Sequence, residues 1–324
     1  MITGIHHVTC IAGPAQENLD FYAGTLGMRL VKKSVNQDDV GTYHLFYADA
    51  EGRPGTDLTF FPWANMPAGQ KGVGLNVEVP LAVPVGSLAY WAERLEAAGV
   101  ELSPLETRFG ERALPFSDPH GLELALVETA DERPFTPWDA SPAPAECQVR
   151  GLHAARLWER DLAGTAGFLA EVMGFDLIGE EDGWYRYGVE AGGSRQVVDV
   201  RALPDVRRGQ WGVGSTHHVA WRVPDDASQL ALQAALERAG RRPTPVIDRF
   251  WFRSVYFREP GGVLFEIATD GPGFAIDEKP AELGERLILP PWLEAQRAAI
   301  EAGLPELRRP SAAEAEARIR GLGD

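Results

Sequence analysis

The sequence predicts an α+β fold of four copies of one strand–helix–strand unit, arranged as two tandem halves and followed by a helical tail. Three observations lead to this prediction. Four helix candidates each end at a glycine, and the spacings between successive glycines (Gly27, Gly99, Gly174 and Gly240) are 72, 75 and 66 residues. A β-type run precedes each helix, and an apolar strand closes each unit. A segment rich in Pro and Ala separates the second unit from the third.

The four helix candidates share an amphipathic pattern and a glycine stop. Glycine readily adopts the left-handed conformation that is common just beyond the end of a helix. The predicted helices span residues 15–26, 87–98, 161–173 and 228–239. Because unrelated segments rarely show such regular spacing, we interpret the four segments as internal repeats.

Strands open and close every unit. The opening runs are GIHHVTCI, GLNVEV, RGLHAARLW and THHVAWRV, and the closing runs are DLTFFPW, LELALVE, QVVDVRAL and VLFEIAT. Two closing runs follow turns of the same design, Asp118–Gly121 and Glu259–Gly262, in which Pro and Gly favour a tight turn. A helix on one face of each small sheet leaves the other face free to curl around a ligand.

The repeat divides the chain into four regions. Residues 1–133 form the N-terminal half with two units, and residues 134–148 form a linker. Residues 149–272 form the C-terminal half with the other two units, and residues 273–324 form a tail with helix candidates in WLEAQRAAIEAG and after Ser311. Ser311 and Glu314 have the spacing of a capping box. We expect the tail to act as a packing or subunit-contact element.

Composition argues against several classes of protein. The 324 residues carry a formal charge of −16, which repels nucleic acid and anionic membranes. No apolar run reaches the length of about 18 residues that a membrane-spanning helix needs. We expect no signal peptide, and the two cysteines, Cys10 and Cys147, are too few for a disulfide framework. A soluble cytoplasmic protein is the resulting expectation.

Four of the seven histidines form two adjacent pairs, His6-His7 and His217-His218, in the opening strands of the first and fourth units. Each pair precedes a valine, and aligning the valines matches the pairs residue by residue. Because consecutive strand residues point to opposite faces, we expect one histidine of each pair to face the concave side. Glu266 lies in an otherwise apolar strand, where burying a carboxylate is costly unless it is paired or binds metal. Two histidines and a carboxylate with open positions form the facial triad of non-haem Fe(II) oxygenases; ordinary hydrogen-bonded histidines are the alternative.

The second and third units serve as an internal comparison. We align the positions of the three candidate ligands with Gly74, Ala125 and Ala154, which carry no metal-binding side chain. The first and fourth units then hold every ligand, which predicts one metal per chain with ligands from both halves. Aligning the closing strands of these two units places Phe60 opposite Glu266. We therefore expect three protein ligands, rather than the four of a closed structural zinc site.

At these residues the chain resembles the vicinal oxygen chelate superfamily, which includes glyoxalase I, extradiol dioxygenases and bleomycin-resistance proteins. Within this superfamily it resembles ring-cleaving dioxygenases of the 2,6-dichlorohydroquinone dioxygenase type, from GIHHVTCIAGPAQENLDFYAGTLGMRLVKKSVNQDD through LPPWLEAQRAAIEAGLP. The resemblance implies four βαβββ modules and the metal ligands His7, His218 and Glu266. It implies Fe(II) as the cofactor, with Mn(II) as the alternative, and an aromatic substrate with O₂. We also expect a homo-oligomer.

The residues that surround metal and substrate in this family match His6, Thr9, His217, Arg249 and Tyr256. By physical type, the arginine suits an anionic ring oxygen and the tyrosine suits a hydrogen-bond donor or proton carrier. The two histidines suit the orientation of metal ligands or proton transfer. For the threonine, the resemblance implies contact with the substrate. Without the resemblance, a surface ion pair fits the arginine about as well, core packing fits the two histidines about as well, and an aromatic core position fits the tyrosine better.

The preferred function is therefore a non-haem Fe(II) dioxygenase that opens a hydroquinone next to one hydroxyl group. Phe250 and Phe252 are candidate walls for a planar ring, with core packing as the alternative. Three other functions stay open: a catechol extradiol dioxygenase, a glyoxalase-type lyase or isomerase, and a drug-sequestering binding module. The glyoxalase type requires a second carboxylate, and the binding module requires no histidine pairs.

Overall fold

The computed structural model describes residues 1–130 and 133–319 of the chain. Positions 131 and 132 of the predicted first half, and the last five residues of the predicted tail, 320–324, lie outside the described residues. The order of strands and helices is that of four repeated units followed by a tail, which confirms the predicted α+β class.

The first two units contain one helix and four strands each. The first consists of β1 (Gly4–Ala12), α1 (Ala15–Leu19), β2 (Arg29–Asn36), β3 (Asp39–Ala48) and β4 (Asp57–Pro62). The second consists of β5 (Leu75–Pro84), α2 (Leu88–Ala97), β6 (Glu106–Arg108), β7 (Glu111–Ser117) and β8 (Glu123–Thr129).

The last two units repeat this plan. The third consists of β9 (Gly151–Leu152), β10 (Ala154–Glu159), α3 (Leu162–Glu171), β11 (Asp176–Glu181), β12 (Trp184–Gly188) and β13 (Val197–Ala202). The fourth consists of β14 (Ser215–Val223), α4 (Asp226–Arg238), β15 (Ile247–Asp248), β16 (Arg253–Arg258) and β17 (Leu264–Thr269).

All four predicted helices are present, and a glycine in the left-handed conformation follows each of them. Gly27 has a φ of 67° and Gly240 a φ of 73°. The helix of the first unit differs from the prediction, because α1 widens after Leu19 into a π-helical turn, Asp20–Thr25. The side chain of Arg94 donates hydrogen bonds to two carbonyls at the end of this turn, which satisfies them.

The units combine across the midpoint of the chain. One sheet has the order β15-β16-β17-β14-β1-β4-β3-β2 and joins the fourth unit to the first through the antiparallel pair β1–β14. The other has the order β11-β12-β13-β10-β5-β8-β7-β6, with β9 beside β5, and joins the third unit to the second. This arrangement puts the two histidine pairs on neighbouring strands, although they are far apart in sequence.

The apolar face of each sheet packs against its helices in a continuous core. Trp91 of α2 and Trp221 of β14 are fully buried within it. Both Cys10 and Cys147 are free cysteines. Among the described residues, no helix combines the length and apolarity needed to cross a membrane.

The tail packs along β2, which is an edge strand of the first sheet. It consists of three short 3₁₀ helices followed by two α-helices, and these are Phe274–Ile276, Pro280–Glu282, Pro291–Gln296, α5 (Arg297–Gly303) and α6 (Ala312–Ile319). The backbone N–H of Ile288 donates to the carbonyl of Lys33. The tail therefore covers backbone groups that a free edge strand would expose. At the start of α6, Ser311 and Glu314 form the predicted capping box.

Candidate metal centre and substrate cavity

The first two candidate ligands come from the two central strands of the first sheet. The antiparallel pairing of β1 with β14 places His7 opposite Ala220 and His218 opposite Thr9. The Nε2 atoms of His7 and His218 are 3.3 Å apart, and both side chains are buried. Strand pairing alone thus brings together two residues from opposite halves of the chain.

Each histidine pair lies on a β-bulge. The pairing of the two strands skips one residue on each side, His6 on β1 and His217 on β14. A bulge inserts an extra residue and disrupts the alternation of faces. Strict alternation is therefore interrupted at both pairs, but one histidine of each pair, His7 and His218, faces the concave side as expected. Nδ1 of His6 lies 2.9 Å from Nδ1 of His7, and Nδ1 of His217 lies 2.8 Å from Nδ1 of His218.

The third candidate ligand, Glu266, comes from β17, which runs parallel to β14 and pairs it with Ala220. Its Oε2 lies 2.9 Å from Nε2 of His218 and 3.2 Å from Nε2 of His7. The side chain is fully buried. Within residues 1–130 and 133–319, this is the one cluster of three or more His, Cys, Asp or Glu side chains placed to hold a metal ion.

These three atoms fit one divalent metal ion. Metal bonds of about 2.1 Å at right angles place neighbouring ligand atoms about 3 Å apart, and the separations here are 2.9, 3.2 and 3.3 Å. Oε2 of Glu266 is buried without a hydrogen-bond partner among the described residues. A buried carboxylate oxygen that faces two imidazole nitrogens is unfavourable unless a cation lies between them. The geometry and burial of the triad are therefore consistent with a site for one divalent metal ion.

His6 determines which nitrogen of His7 is available to the metal. Nε2 of His6 lies 3.1 Å from the carbonyl oxygen of Thr269, which can only accept, so Nε2 carries a proton. Burial and the neighbouring His7 lower the pKa of His6 to about 3, so its ring is neutral and its Nδ1 is an acceptor. Nδ1–H of His7 donates to it, which leaves Nε2 of His7 with a free lone pair directed at the metal site.

His217 takes the corresponding place beside His218. Burial and the neighbouring His218 lower the pKa of His217 to about 3. Its ring stacks on Trp211 with 4.4 Å between ring centres, and Phe61 contacts it edge-on at 5.6 Å. This packing holds the ring that contacts Nδ1 of the ligand.

Ser254 fixes the orientation of the carboxylate ligand. Its hydroxyl donates to Oε1 of Glu266 over 2.5 Å. One carboxylate oxygen of Glu266 is therefore held by Ser254, and the other is directed at the metal site.

A cavity of about 380 Å³, counted to its open mouth, lies beside the metal site. His7 and His218 form part of its wall. Four apolar aromatic side chains also line it, and these are Phe46, Phe61, Trp251 and Phe252. The turn between β2 and β3 closes one side with Asn36, Gln37 and Asp38. This combination of an aromatic wall and a few polar groups is typical of a small-molecule site.

Arg249 and Tyr256 both line this cavity. Nη2 of Arg249 lies 2.8 Å from Oδ2 of Asp38, and its guanidinium lies 5.4 Å from the ring centre of Tyr256. The tyrosine ring meets His218 edge-on at 5.5 Å. Burial raises the pKa of Tyr256, so its phenol keeps its proton and can donate. The structure thus brings both predicted polar residues to the cavity wall, where Tyr256 contacts the ligand His218 and Arg249 contacts Tyr256.

Of the predicted substrate-binding residues, Phe252 lines the cavity, whereas Thr9 and Phe250 lie outside its wall as the described residues define it. The hydroxyl of Thr9 lies 2.8 Å from that of Thr59, and the side chain is fully buried. Phe250 packs edge-on against Trp292 with 6.0 Å between ring centres. A role for Thr9 or Phe250 in substrate binding stays a prediction. Either residue would act indirectly, by positioning the residues that line the cavity.

The predicted match of Phe60 with Glu266 is wrong by one residue. β4 pairs Thr59 with Thr9, while β17 pairs Glu266 with Ala220, which corresponds to Thr9. Thr59 therefore occupies the place of the carboxylate, and Phe60 is buried in the core. Since threonine supplies no carboxylate, the expectation of three protein ligands still holds.

In the second sheet, an ion pair occupies the position that corresponds to the paired residues Thr9 and His218 of the first sheet. β10 pairs Arg156 with Glu78 of β5, as β1 pairs Thr9 with His218. The predicted match of Gly74 with His218 is therefore wrong, because Glu78 stands there. Nη1 of Arg156 lies 3.6 Å from Oε1 of Glu78, so a guanidinium supplies the positive charge at this carboxylate.

Sequence reasoning missed His44 and the turn at residues 36–38 as parts of the cavity wall. His44 is a single histidine in β3, without the pairing that drew attention to the other four. The register of β3 against β4, which places His44 near Thr59, is the signal that identifies it. The turn approaches the cavity only through the tertiary fold.

The tail supports the back of the cavity wall through Lys32, which is fully buried. Nζ of Lys32 lies 2.7 Å from Oδ1 of Asp277 and also donates to Glu278. Asp277 in turn accepts a hydrogen bond of 2.8 Å from Nε1 of Trp251. Because Trp251 lines the cavity, these contacts connect the tail to the position of a wall residue.

Comparison with known proteins agrees with this geometry. The family model described as "Glyoxalase/Bleomycin resistance protein/Dioxygenase superfamily" matches residues 4–126 and 151–267. The chain is 45% identical over 301 residues to "Putative ring-cleaving dioxygenase MhqO" of Bacillus subtilis, which covers 93% of this chain and 95% of that protein. It is 36% identical over 304 residues to "Chlorohydroquinone/hydroquinone 1,2-dioxygenase" of Sphingobium indicum, which covers 90% of this chain and 93% of that protein.

Solved structures show the same relationship. The crystal structure of a "putative dioxygenase" from Bacillus subtilis superposes with a TM-score of 0.90 at 43% identity and covers 96% of this chain and 99% of that one. Glyoxalase I from Zea mays shares the fold, with a TM-score of 0.61 at 16% identity over 82% of this chain and 92% of that one. From the two matched halves, the metal site and the full-length relatives, we conclude that the chain belongs to the glyoxalase/bleomycin resistance protein/dioxygenase superfamily, and within it to the ring-cleaving dioxygenases related to chlorohydroquinone/hydroquinone 1,2-dioxygenase.

Proposed function

We propose that the chain is a non-haem Fe(II)-dependent dioxygenase that opens a hydroquinone ring next to one hydroxyl group with O₂. The observation that carries this proposal is a site with three protein ligands, His7, His218 and Glu266, beside an aromatic-walled cavity. The relative from Sphingobium indicum, whose name specifies chlorohydroquinone and hydroquinone, supports the choice of substrate.

A ligand set of two imidazoles and one carboxylate suits Fe(II), and Mn(II) is the alternative ion for the same set. Three protein ligands on one side leave further positions for a substrate oxygen and for O₂. The bound ion would supply a path for electron density from the aromatic ring to O₂. The remaining steps of binding, orientation and proton handling fall to the side chains of this chain.

Arg249 and Tyr256 bind the oxygen atoms that carry negative charge. Arginine stays cationic at every physiological pH, so Arg249 attracts a deprotonated ring oxygen into the cavity. Tyr256 keeps its phenolic proton and can donate a hydrogen bond to an oxygen beside His218. Together they favour the anionic form of the substrate near the metal.

The outer histidines keep the ligands in place, and the aromatic wall binds the ring. His6 and His217 hold Nδ1 of the two ligand histidines and so preserve the direction of each Nε2. Phe252 lies 5.2 Å from His7, ring centre to ring centre, and presents an apolar surface next to the ligand. A planar aromatic substrate can pack against this surface and exclude water from the site.

Oxygen uptake by protein loaded anaerobically with Fe(II) tests this proposal. We expect kcat/KM for hydroquinones to exceed that for catechols by about tenfold, the upper value for one lost hydrogen bond. With ¹⁸O₂, the ring-opened product should contain two labelled oxygen atoms. Equal or reversed rates would assign the chain to catechol cleavage, and no uptake with either substrate would refute the proposal.

A glyoxalase-type reaction receives less support from the site. Thr59 occupies the position of the second carboxylate that such a reaction was expected to need. The likeness to glyoxalase I from Zea mays, at 16% identity, shows the fold alone.

A further inference from the structure

His44 is a cavity residue for which neither the metal site nor the roles described above account. Its Nε2 lies 2.9 Å from the hydroxyl oxygen of Thr59. Its ring rests against Phe46 at 3.8 Å and Phe61 at 4.5 Å between ring centres. These contacts fix the plane of the imidazole and leave Nδ1 as the ring nitrogen available to a bound molecule.

Comparison of the first and fourth units shows that His44 occupies the position that Ser254 has in the fourth unit. The pairing of β3 with β4 and of β16 with β17 makes Phe46 equivalent to Tyr256, and therefore His44 equivalent to Ser254. The hydroxyl of Ser254 is occupied by its hydrogen bond to the ligand Glu266. The first unit has no ligand at that point, and it carries a larger side chain that lines the cavity instead.

His44 lies in the same cavity as the metal ligands but contacts other residues: among the described residues its ring packs on Phe46 and Phe61, and its side-chain hydrogen bond is to Thr59. Ring contacts lead from His44 to Phe61 at 4.5 Å and from Phe61 to His217 at 5.6 Å. His217 is the residue that contacts the ligand His218, at 5.1 Å between ring centres. His44 thus shares the cavity with both ligand histidines and is connected to His218 along this wall through Phe61 and His217.

The charge state of His44 suits a neutral hydroxyl group. Burial, followed by the influence of His7 and His218, lowers the pKa of His44 well below its usual value. A neutral imidazole has one N–H donor and one acceptor nitrogen. Because the hydroxyl of Thr59 can donate or accept, Nδ1 can take either role towards a partner in the cavity. A phenolic O–H, itself both donor and acceptor, complements such a group.

We propose that Nδ1 of His44 binds the second hydroxyl group of a 1,4-dihydroxybenzene, the one that lies across the ring from the metal. This inference rests on the proposed function and names the feature that selects its substrate class. A catechol carries its second hydroxyl next to the metal-bound oxygen, so that group does not reach across the ring. His44 therefore favours hydroquinones over catechols.

Ligand binding without oxygen tests the role of His44 separately from turnover. Calorimetric titration of the anaerobic Fe(II)-loaded protein compares hydroquinone with 4-methylphenol, which has the same shape but only one hydroxyl group. We expect the wild type to bind hydroquinone about five- to tenfold more tightly, which corresponds to one net hydrogen bond. The variants are His44→Gln, whose amide reaches the Nε2 position and keeps the Thr59 contact, and His44→Asn, whose amide reaches the Nδ1 position.

The proposal predicts that His44→Gln loses the preference for hydroquinone while binding 4-methylphenol within about twofold of the wild type, and that His44→Asn keeps most of the preference. Metal content of one ion per chain in both variants serves as the control for folding. Equal weakening of both ligands, or an unchanged preference in His44→Gln, would overturn the assignment. If the preference depends on His44 but hydroquinone is not cleaved, the proposed function fails and this binding role stands.

Discussion

Glu266→Gln is expected to lose both its metal ion and its ring-opening activity. The change removes the charge from Oε2, which lies 2.9 Å from Nε2 of His218 and 3.2 Å from Nε2 of His7. Loss of a group that merely supports a ligand costs about 10–100-fold in metal affinity, so loss of the ligand itself should cost at least about 100-fold. Metal analysis after anaerobic Fe(II) loading, together with oxygen uptake, measures both effects.

Two matched variants distinguish the loss of a metal ligand from a general loss of folding. Glu96→Gln makes the same chemical change on the exposed side of α2 and should keep full metal content. Ser254→Ala removes the hydrogen bond to Oε1 but leaves the three ligands, and it should weaken metal retention by about 10–100-fold. Wild-type metal content and activity in Glu266→Gln would remove this residue from the site.

Lys32→Met is expected to lower the free energy of unfolding by about 3–5 kcal/mol, the usual cost of breaking a buried ion pair from one side. The ammonium group of Lys32 is fully buried between Asp277 and Glu278. Its removal leaves the carboxylate of Glu278, also fully buried, without its cation. Urea unfolding followed by circular dichroism measures the loss.

Controls for this prediction come from the same tail. Lys279→Met removes an exposed lysine and should change the free energy of unfolding by less than about 0.5 kcal/mol. The double variant Lys32→Met/Glu278→Leu removes both buried charges and should regain much of the lost stability. A single Lys32→Met variant as stable as the wild type would show that the tail is not held to β2 by this ion pair.

The repeat and the metal ligands were predictable from sequence because each rests on residue type at matched positions. Helices that end at glycine recur at similar spacing, and the two histidine pairs align without a gap. A charged residue such as Glu266 in an apolar strand is conspicuous for energetic reasons alone. These signals are local, and the structure confirms the fold and brings the three ligands together.

The register of the strands was not predictable in the same way. Apolar closing strands look alike when shifted by one residue, so Phe60 was matched with Glu266 where pairing selects Thr59. The bulges at His6 and His217 leave no mark in the sequence either, because they arise from how β1 meets β14. Such features depend on the partner strand rather than on the strand itself.

The residues that complete the cavity depend on contacts between distant parts of the chain. His44 reaches it through the pairing of β3 with β4, and Asp38 reaches it through its ion pair with Arg249. Trp251 is held from behind by Asp277 of the tail. No local pattern connects these segments, so only the folded chain reveals the wall that faces the metal.

The metal content of the wild-type protein decides whether His7, His218 and Glu266 bind a shared ion. After anaerobic loading with Fe(II) and removal of free metal by gel filtration, we expect one ion per chain, lost in the Glu266→Gln variant. A wild-type protein that retains none, or a variant that retains as much as the wild type, would contradict the assignment of the site.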